Sequence, residues 1–429
     1  MRQTTGLTST YSSDEFGICS ALYELGGMVV MHDASGCNST YTTHDEPRWY
    51  DMDSMIFISA ISEAEAIMGD DDKFIDDLIE TAGELHPKFI ALVGAPIPYM
   101  IGTDLDAIAR IVSGKTGLPC FTFAANGMHD YTRGVSMAME RIVREFAEEE
   151  NSSARLVARP VDKVLTGSRT VEKVGEDTYL QSKQMSRITV NILGATPLDF
   201  SLNGSMDSMK EWVTVHGMEL GLCLSMGCTL EDIRKAGEAQ VNLVISAGGL
   251  AAAKYLRGRF GTPYVVGVPI GEAFSENLSA VVRTASRSAD NIISYLQYGV
   301  VRQENRMSIE NKGLSAIICC AIIGEAVYSA SLAATIEMEY GIRAEVLCPL
   351  DVGQELLRPE DHYVPEEDDL ICLLKNYDAV IADPLYRPLL RGEKQKFYPL
   401  PHEAFSGRIY DSVNPNLIVK RLNKAEIFR

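Results

Sequence analysis

Apolar and polar positions alternate between two textures along the chain. Short, nearly continuous apolar runs end in glycine or proline; between them lie longer runs whose apolar residues recur every three or four positions. The first texture predicts strands buried on both faces and the second amphipathic helices. Their alternation predicts α/β layers around parallel sheets. In the first unit "KFIALVGAP" (88–96) and "GLPCFTFAA" (117–125) read as strands. "DKFIDDLIETAGEL", "DLDAIARIVSGKTG" and "YTRGVSMAMERIVREFAEEE" read as helices. A second unit opens at "RITVNILGATPLDF" (187–200) and continues through "VNLVISAGG" (241–249), the helix "LAAAKYLRGRFG" and "TPYVVGVPIG" (262–271). It closes on "SENLSAVVRTASRSADNIISYLQYG", which reads as one long helical stretch. A third unit opens at "LSAIICCAIIG" (314–324), followed by the helix "EAVYSASLAATIEMEYG" and the strands "RAEVLCPL", "YDAVIADP" and "FYPLPHE". The polar stretch 148–184 has no strong period and reads as a linker or an excursion. The expected domains are 1–165, 186–305 and 306–429.

Composition narrows the function class. The chain has 429 residues, 46% hydrophobic and 23% charged, which is the balance of a globular protein of two or three domains. A formal net charge of −20 gives no positive field to attract phosphate, so no nucleic-acid partner is expected. The N-terminal "MRQTTGLTSTYSSDEFGI" has no apolar core of a signal peptide, and no run reaches the ~18 apolar residues of a membrane span. A cytoplasmic protein without a membrane partner is expected. Nine cysteines, an odd number thinly spread, fit a reducing compartment.

Most candidate motifs have structural readings. "ARIVSGKT" (109–116) is a near miss to a phosphate loop, but its glycine ends a helix where that chemistry needs one to begin it. No GxGxxG follows a strand, so no bound dinucleotide is expected. Cys223 and Cys228 have no second pair for zinc, and Cys319, Cys320, Cys348 and Cys372 read as small hydrophobes. Cys120 reads as ending a strand. His32, His44, His86 and His129 show no metal-binding spacing, and "GDDDKFIDD" (69–77) reads as a solvated helix start. Cys19 and Cys37 are different. Both sit beside small residues, in "FGICSAL" and "ASGCNST", where backbone N–H groups stay open to sulfide. Such thiolates suit an iron–sulfur cluster better than zinc, although a cubane cluster takes four donors and this pair supplies two.

The order of several segments carries a resemblance. "HDASGC", "STYTTHDEP", "SEAEAIMGDDDKFIDDLIE" and "HPKFIALVGAPIPYMIGTDLDAI" resemble the N-terminal domain of the nitrogenase component 1 superfamily. The chain looks most like the β-type chain of the molybdenum–iron protein and its relatives, the cofactor scaffold proteins and the light-independent protochlorophyllide reductases. "VNLVISAGGLAAAKYLRGRFGTPYVVGVPIG" resembles the second domain; "YDAVIADP" and "PLPHEAFSGRIY" resemble the third. The resemblance implies three Rossmann-like α/β domains with parallel sheets, and a dimer with an iron–sulfur cluster at its interface. Cys19 and Cys37 match the first two cluster ligands. The third lies six residues before the glycine of the Ile-Gly-x-Asp motif, here Gly102, and that position holds Pro96, which cannot ligate. An eight-iron P-type cluster is therefore disfavoured, and two chains giving two thiolates each would complete one 4Fe–4S cluster. A carboxylate such as Asp14 or Asp33 stays open as a further donor. Ser246 stands near the position of the large-cofactor cysteine, so an iron–molybdenum-type cofactor on this chain is not expected.

The activity implied is that of the electron-accepting catalytic component of a two-component, ATP-dependent reductase. ATP would be used by a separate homodimeric iron protein and not bound by this chain. The partner would be a second copy or a related component 1-like chain. A small unsaturated, sulfur-containing or tetrapyrrole substrate would sit between domains at the carboxyl ends of strands, with Gly194, Gly248 and Gly249 as pocket backbone. The alternatives are a scaffold for metallocluster assembly and a non-enzymatic redox or ligand-binding protein.

Overall fold

The computed structural model describes residues 12–38, 41, 46–148, 187–298, 319–390 and 395–422. The linker expectation, apart from Glu148, lies outside the described residues, as do His44 and the first five residues of the run at 314.

The first unit contains α1 (Asp14–Leu22), β1 (Met28–Met31), β2 (Met55–Ile58), α2 (Glu63–Met68), α3 (Asp72–Leu85) and β3 (Ile90–Val93). It continues with α4 (Pro96–Ile101), α5 (Leu105–Thr116), β4 (Cys120–Phe123) and α6 (Tyr131–Phe146). Its sheet is parallel, in the order β2-β1-β3-β4. Alternation along β1 explains its unbroken apolar run. Val29 and Met31 face the main core, while Met28 and Val30 meet Phe74, Ile75 and Leu78 of α3 and Ile108 and Val112 of α5.

The second unit contains β5 (Thr189–Leu193), α7 (Pro197–Phe200), α8 (Ser205–Val215), β6 (Glu219–Cys223), α9 (Leu230–Arg234) and β7 (Val241–Val244). Then come α10 (Leu250–Phe260), β8 (Tyr264–Val266), α11 (Ala273–Ser288) and β9 (Ile292–Ile293), in sheet order β6-β5-β7-β8-β9. The third unit contains β10 (Cys319–Ile323), α12 (Ala326–Tyr340), β11 (Arg343–Cys348), β12 (His362–Tyr363) and α13 (Glu367–Leu374). It closes with β13 (Ala379–Ala382), β14 (Lys396–Pro399) and α14 (Glu403–Ser406), in sheet order β12-β11-β10-β13-β14. The fold class expected from the sequence is thus the one observed: α/β, with three parallel sheets.

One apolar cluster runs through all three units. Helix α6 joins the first two, packing on α1 along one side and α10 along another. The chain end also crosses between units. Ile418 bridges Ile270 antiparallel, and Val419 N–H donates to the Pro269 carbonyl at 2.8 Å.

Three local readings change. The stretch after "SENLSAVV" is not one helix. α11 stops at Ser288, Ala289 turns left-handed at φ 59°, and Ile292–Ile293 adds an edge strand beside β8. Cys120 begins β4 rather than ending a strand; it pairs with Ile90, at the amino-terminal edge of the sheet. Strands β1 and β2, short apolar runs among polar loops, were not anticipated. The near-miss phosphate loop is the last part of α5, but Gly114, expected to end the helix, lies inside it; Gly117, at φ 72°, is the cap and donates its N–H to the Ser113 carbonyl.

Candidate functional site

Helix α1 is buried along its whole length, polar residues included. Its N-terminus is tied to the loop after β4. Asp14 carboxylate oxygens accept from Gly127 N–H at 2.9 Å and Asn126 N–H at 3.2 Å. Glycines let the helix lie against α6: a Cβ on Gly17 would stand 2.2 Å from the Tyr131 carbonyl oxygen, and one on Gly134 would stand 1.9 Å from that of Asp14. Glu15 and Cys19, four residues apart, share a face of α1. Burial, then the hydrogen bond to Asp14, pushes Glu15 up to about 8. Burial raises the Cys19 thiol well above its ordinary value, and the carboxylates of Glu15 and Glu46 raise it further. A thiolate there needs a cation beside it.

Cys37 lies on the turn after β1 and is exposed, whereas Cys19 has 0% of its surface exposed. β1 is the strand at which the first sheet's order reverses, the place where open α/β sheets gather ligands. The turn is braced by Asp33, which accepts from Ala34 N–H at 2.8 Å and Asn38 Nδ2 at 3.0 Å. His32 serves structure: its Nδ1 lies 2.9 Å from Ser59 Oγ, its ring stacks on Phe74, and burial lowers its pKa to about 4. Cys120, at the opposite edge of the sheet, is pushed up to about 12 by burial alone.

Among the described residues no three His, Cys, Asp or Glu side chains stand together as a metal site. Of the two expected thiols, one is sealed and one is at the surface, and the described residues do not complete a donor set around either. Glu15 Oε2 is an orphaned atom, being buried without a hydrogen-bond partner. Thiols are the donor chemistry of an iron–sulfur site, and the donors among the described residues do not complete one.

A second constellation lies outside the carboxyl ends of β5 and β10, the reversal strands of the other two sheets. Its cleft is lined by Asp199, Phe200, Ile323, Glu325, Tyr328 and His402. The second and third units line it, and the first backs it: Tyr131 of α6, buried behind the lining, donates its hydroxyl to Asp199 Oδ1 at 2.5 Å. His402 Nε2 lies 3.5 Å from the same oxygen, and its ring stacks on Phe405. Glu325 caps α12 by accepting from Tyr328 N–H at 2.8 Å and also accepts from Ala247 N–H at 2.9 Å. Burial, then the charge of Asp199, raises Glu325 to about 8. The cleft thus brings a carboxylic acid, a carboxylate and an imidazole to one wall, with the Tyr131 phenol buried behind Asp199, a set suited to proton transfer.

Sequence reading missed this set. Its signal was an acidic residue following an apolar strand and a glycine, as in "NILGATPLDF" and "CCAIIGE". Gly194 and Gly249, expected as pocket backbone, instead permit close packing. Gly194 holds φ 96°, with a Cβ position 2.7 Å from Ser246 Oγ, and a Cβ on Gly249 would meet the Leu193 backbone at 2.5 Å. A Cβ on Gly248 would strike the Val135 side chain at 2.5 Å. Ser246 donates to the Gly194 carbonyl at 2.8 Å.

The state of Glu325 has a measurable consequence. Unfolded, the group titrates near 4.5; folded, near 8. Its contribution is intact below the lower value and is lost as pH rises toward the upper one, because the unfolded chain releases its proton first. The melting temperature is expected to fall between pH 5 and 8, and to fall less in Glu325→Gln. Glu15 adds a slope of the same sign, so the comparison is between the two slopes; equal slopes would refute the assignment.

Comparison with known proteins agrees with this architecture. The sequence profile of the family described as nitrogenase component 1 type oxidoreductase matches residues 20–349. A light-independent protochlorophyllide reductase chain of Nostoc punctiforme is 21% identical over 317 residues, covering 68% of this chain and 57% of that protein. The nitrogenase iron-molybdenum cofactor biosynthesis protein NifE of Clostridium pasteurianum is 23% identical over 210 residues, covering 49% of this chain and 38% of that protein. The matched regions thus span about half or less of these relatives' length. The solved structure titled "Nitrogenase Cp1 at pH 5" superposes with a TM-score of 0.60 at 13% identity, over 96% of this chain and 86% of that one. With its three parallel sheets and a profile match across most of its length, the chain belongs to the nitrogenase component 1 type oxidoreductase family.

Proposed function

We propose that this chain is the electron-accepting catalytic component of a nitrogenase-like, two-component, ATP-dependent reductase. It would pair with a second copy or a related chain, and Cys19 and Cys37 of each would hold one 4Fe–4S cluster between them. The observation that carries this reading is the incomplete donor set: two thiols, one buried on α1 and one exposed after β1. The cluster, when bound, supplies one-electron storage. Cys19 would hold it from within the protomer, and Cys37 from the surface. In the cleft, Asp199, with His402 Nε2 3.5 Å from its Oδ1, would orient a small substrate, while Glu325 would hold a proton at its carboxyl. A separate iron protein would use ATP. α5 offers no phosphate cradle, because its glycines lie within the helix and at its C-terminal end.

The likeness to the cofactor biosynthesis protein favours a second reading, a scaffold on which a metallocluster is built. The proton-holding groups in the cleft favour catalysis, since adding electrons to a substrate bond calls for protons as well. Anaerobic reconstitution with iron and sulfide tests the proposal. About four irons per dimer are expected, with a reduced cubane signal by electron paramagnetic resonance. Cys19→Ala and Cys37→Ala should each lose most of that iron. A protein that takes up no iron, or variants that keep all of it, would overturn the reading.

A further inference from the structure

A further cavity lies where residues following β4, β7 and β11 meet, one group from each unit. Its volume is about 460 Å³, within the range of small-molecule sites. Its walls are tied together. The Asp351 N–H, on the loop after β11, donates at 2.6 Å to Asp130 Oδ2, at the start of α6. Met137, Leu250, Val352 and Leu356 give the cavity an apolar lining. Three charged side chains also line it: Arg133, Lys254 and Asp351. Two of these have partners. Lys254 Nζ lies 2.9 Å from Glu355 Oε1, and Asp351 Oδ2 lies 3.5 Å from His129 Nδ1. Among the described residues the Arg133 side chain has none. Ser136, three residues further along α6, brings a hydroxyl to the same wall. Backbone groups do not supply the charge here. The Tyr131 N–H is taken by the Ser12 carbonyl and the Thr132 N–H by Asp130, each at 2.9 Å. The spare charge is therefore a guanidinium, whose planar fork matches a carboxylate. One spare positive charge near the Asp351 carboxylate suits a monoanion better than a phosphate dianion.

We propose that this cavity binds a small organic monocarboxylate, with its carboxylate on Arg133 and Ser136 and its apolar body against Leu250 and Leu356. The site is distinct from the cleft of Asp199 and His402 but shares a partition with it: Ala247 lines the cavity and donates its N–H to Glu325 of the cleft. Binding asks for neither iron nor ATP, so it stands apart from the cluster reading.

Isothermal titration calorimetry of the full chain with hexanoate and phenylacetate tests this, with hexan-1-ol and hexylammonium as neutral and cationic counterparts. At least one carboxylate is expected to saturate a single site per chain, and hexan-1-ol to bind more weakly. Arg133→Gln should weaken the carboxylate roughly ten- to hundredfold, the scale of a hydrogen bond to a charged group. Arg133 is exposed, so its loss should leave the fold intact by circular dichroism. Ala251→Leu, which enlarges a side chain on the cavity wall, should weaken binding as well. If neither carboxylate binds, if either variant binds as wild type does, or if hexylammonium binds more tightly than hexanoate, the assignment is overturned. Iron uptake is read separately: a chain that takes up no iron yet binds hexanoate through Arg133 keeps this site and loses the cluster.

Discussion

Replacing Arg48 with methionine is expected to cost roughly 3–5 kcal/mol of folding stability, the range for breaking a buried ion pair from one side. Arg48 is 3% exposed. Its Nε lies 2.7 Å from Glu46 Oε1, its Nη1 2.8 Å from Glu24 Oε1, and its Nη2 donates to the Ser20 carbonyl at 2.7 Å. Nη1 also reaches the Ser225 carbonyl of the second unit at 3.1 Å, and the guanidinium lies over the Tyr23 ring. Burial on its own would lower the pKa of Arg48; Glu46 and then Glu24 overcome that and raise it. Without Arg48, the carboxylate of Glu46, which has 0% of its surface exposed, has lost its cation. Arg48→Met with Glu46→Gln should therefore recover part of the loss in a double-mutant cycle. Chemical denaturation measures both; a loss below about 1 kcal/mol, the scale of an exposed pair, would show that the cluster does not join the units as described.

Gly134→Ala is expected to destabilise by about 3 kcal/mol, the upper end of the cost of overpacking. The obstacle is a backbone carbonyl, 1.9 Å from the new Cβ, with no rotamer to escape into. α1 must move off α6, which also disturbs Asp14 and the loop it holds, so iron uptake should fall with stability. Gly114→Ala is the control: nothing lies within 4 Å of a Cβ there, and it sits inside α5. That substitution should gain about 0.5–1 kcal/mol by removing glycine's backbone entropy from a helix. Thermal and denaturant unfolding of the pair decides the matter; similar behaviour of the two variants would refute the close α1–α6 crossing.

Much of the fold was legible because burial on both faces leaves a plain mark. Runs such as "KFIALV" and "VNLVI" have no polar face to confuse the period, and Gly117 and Gly261 mark helix ends by their left-handed turns. The end of α11 was not legible, since "SADNIISYL" keeps helical spacing and only sheet pairing makes Ile292–Ile293 a strand. The string "HDEPRW" stands out in the sequence, but its physical use, Glu46 holding Arg48 beneath α1, depends on residues of another unit.

By itself the sequence determined the layer type, the three α/β units, the helical character of the near-miss phosphate loop and the two cysteines worth asking about. Local periodicity and backbone preference decide those, and both are written in neighbouring residues. Tertiary structure alone decided that Cys19 is sealed while Cys37 is exposed, that Cys120 sits at the wrong edge of its sheet, and that Glu15 lies beside Cys19 with an oxygen unclaimed. It also decided that Asp199, Glu325 and His402, far apart along the chain, share one wall with Tyr131 behind Asp199. Burial and charge contact are properties of space, and parallel sheets bring distant strand ends together without leaving a trace in local order.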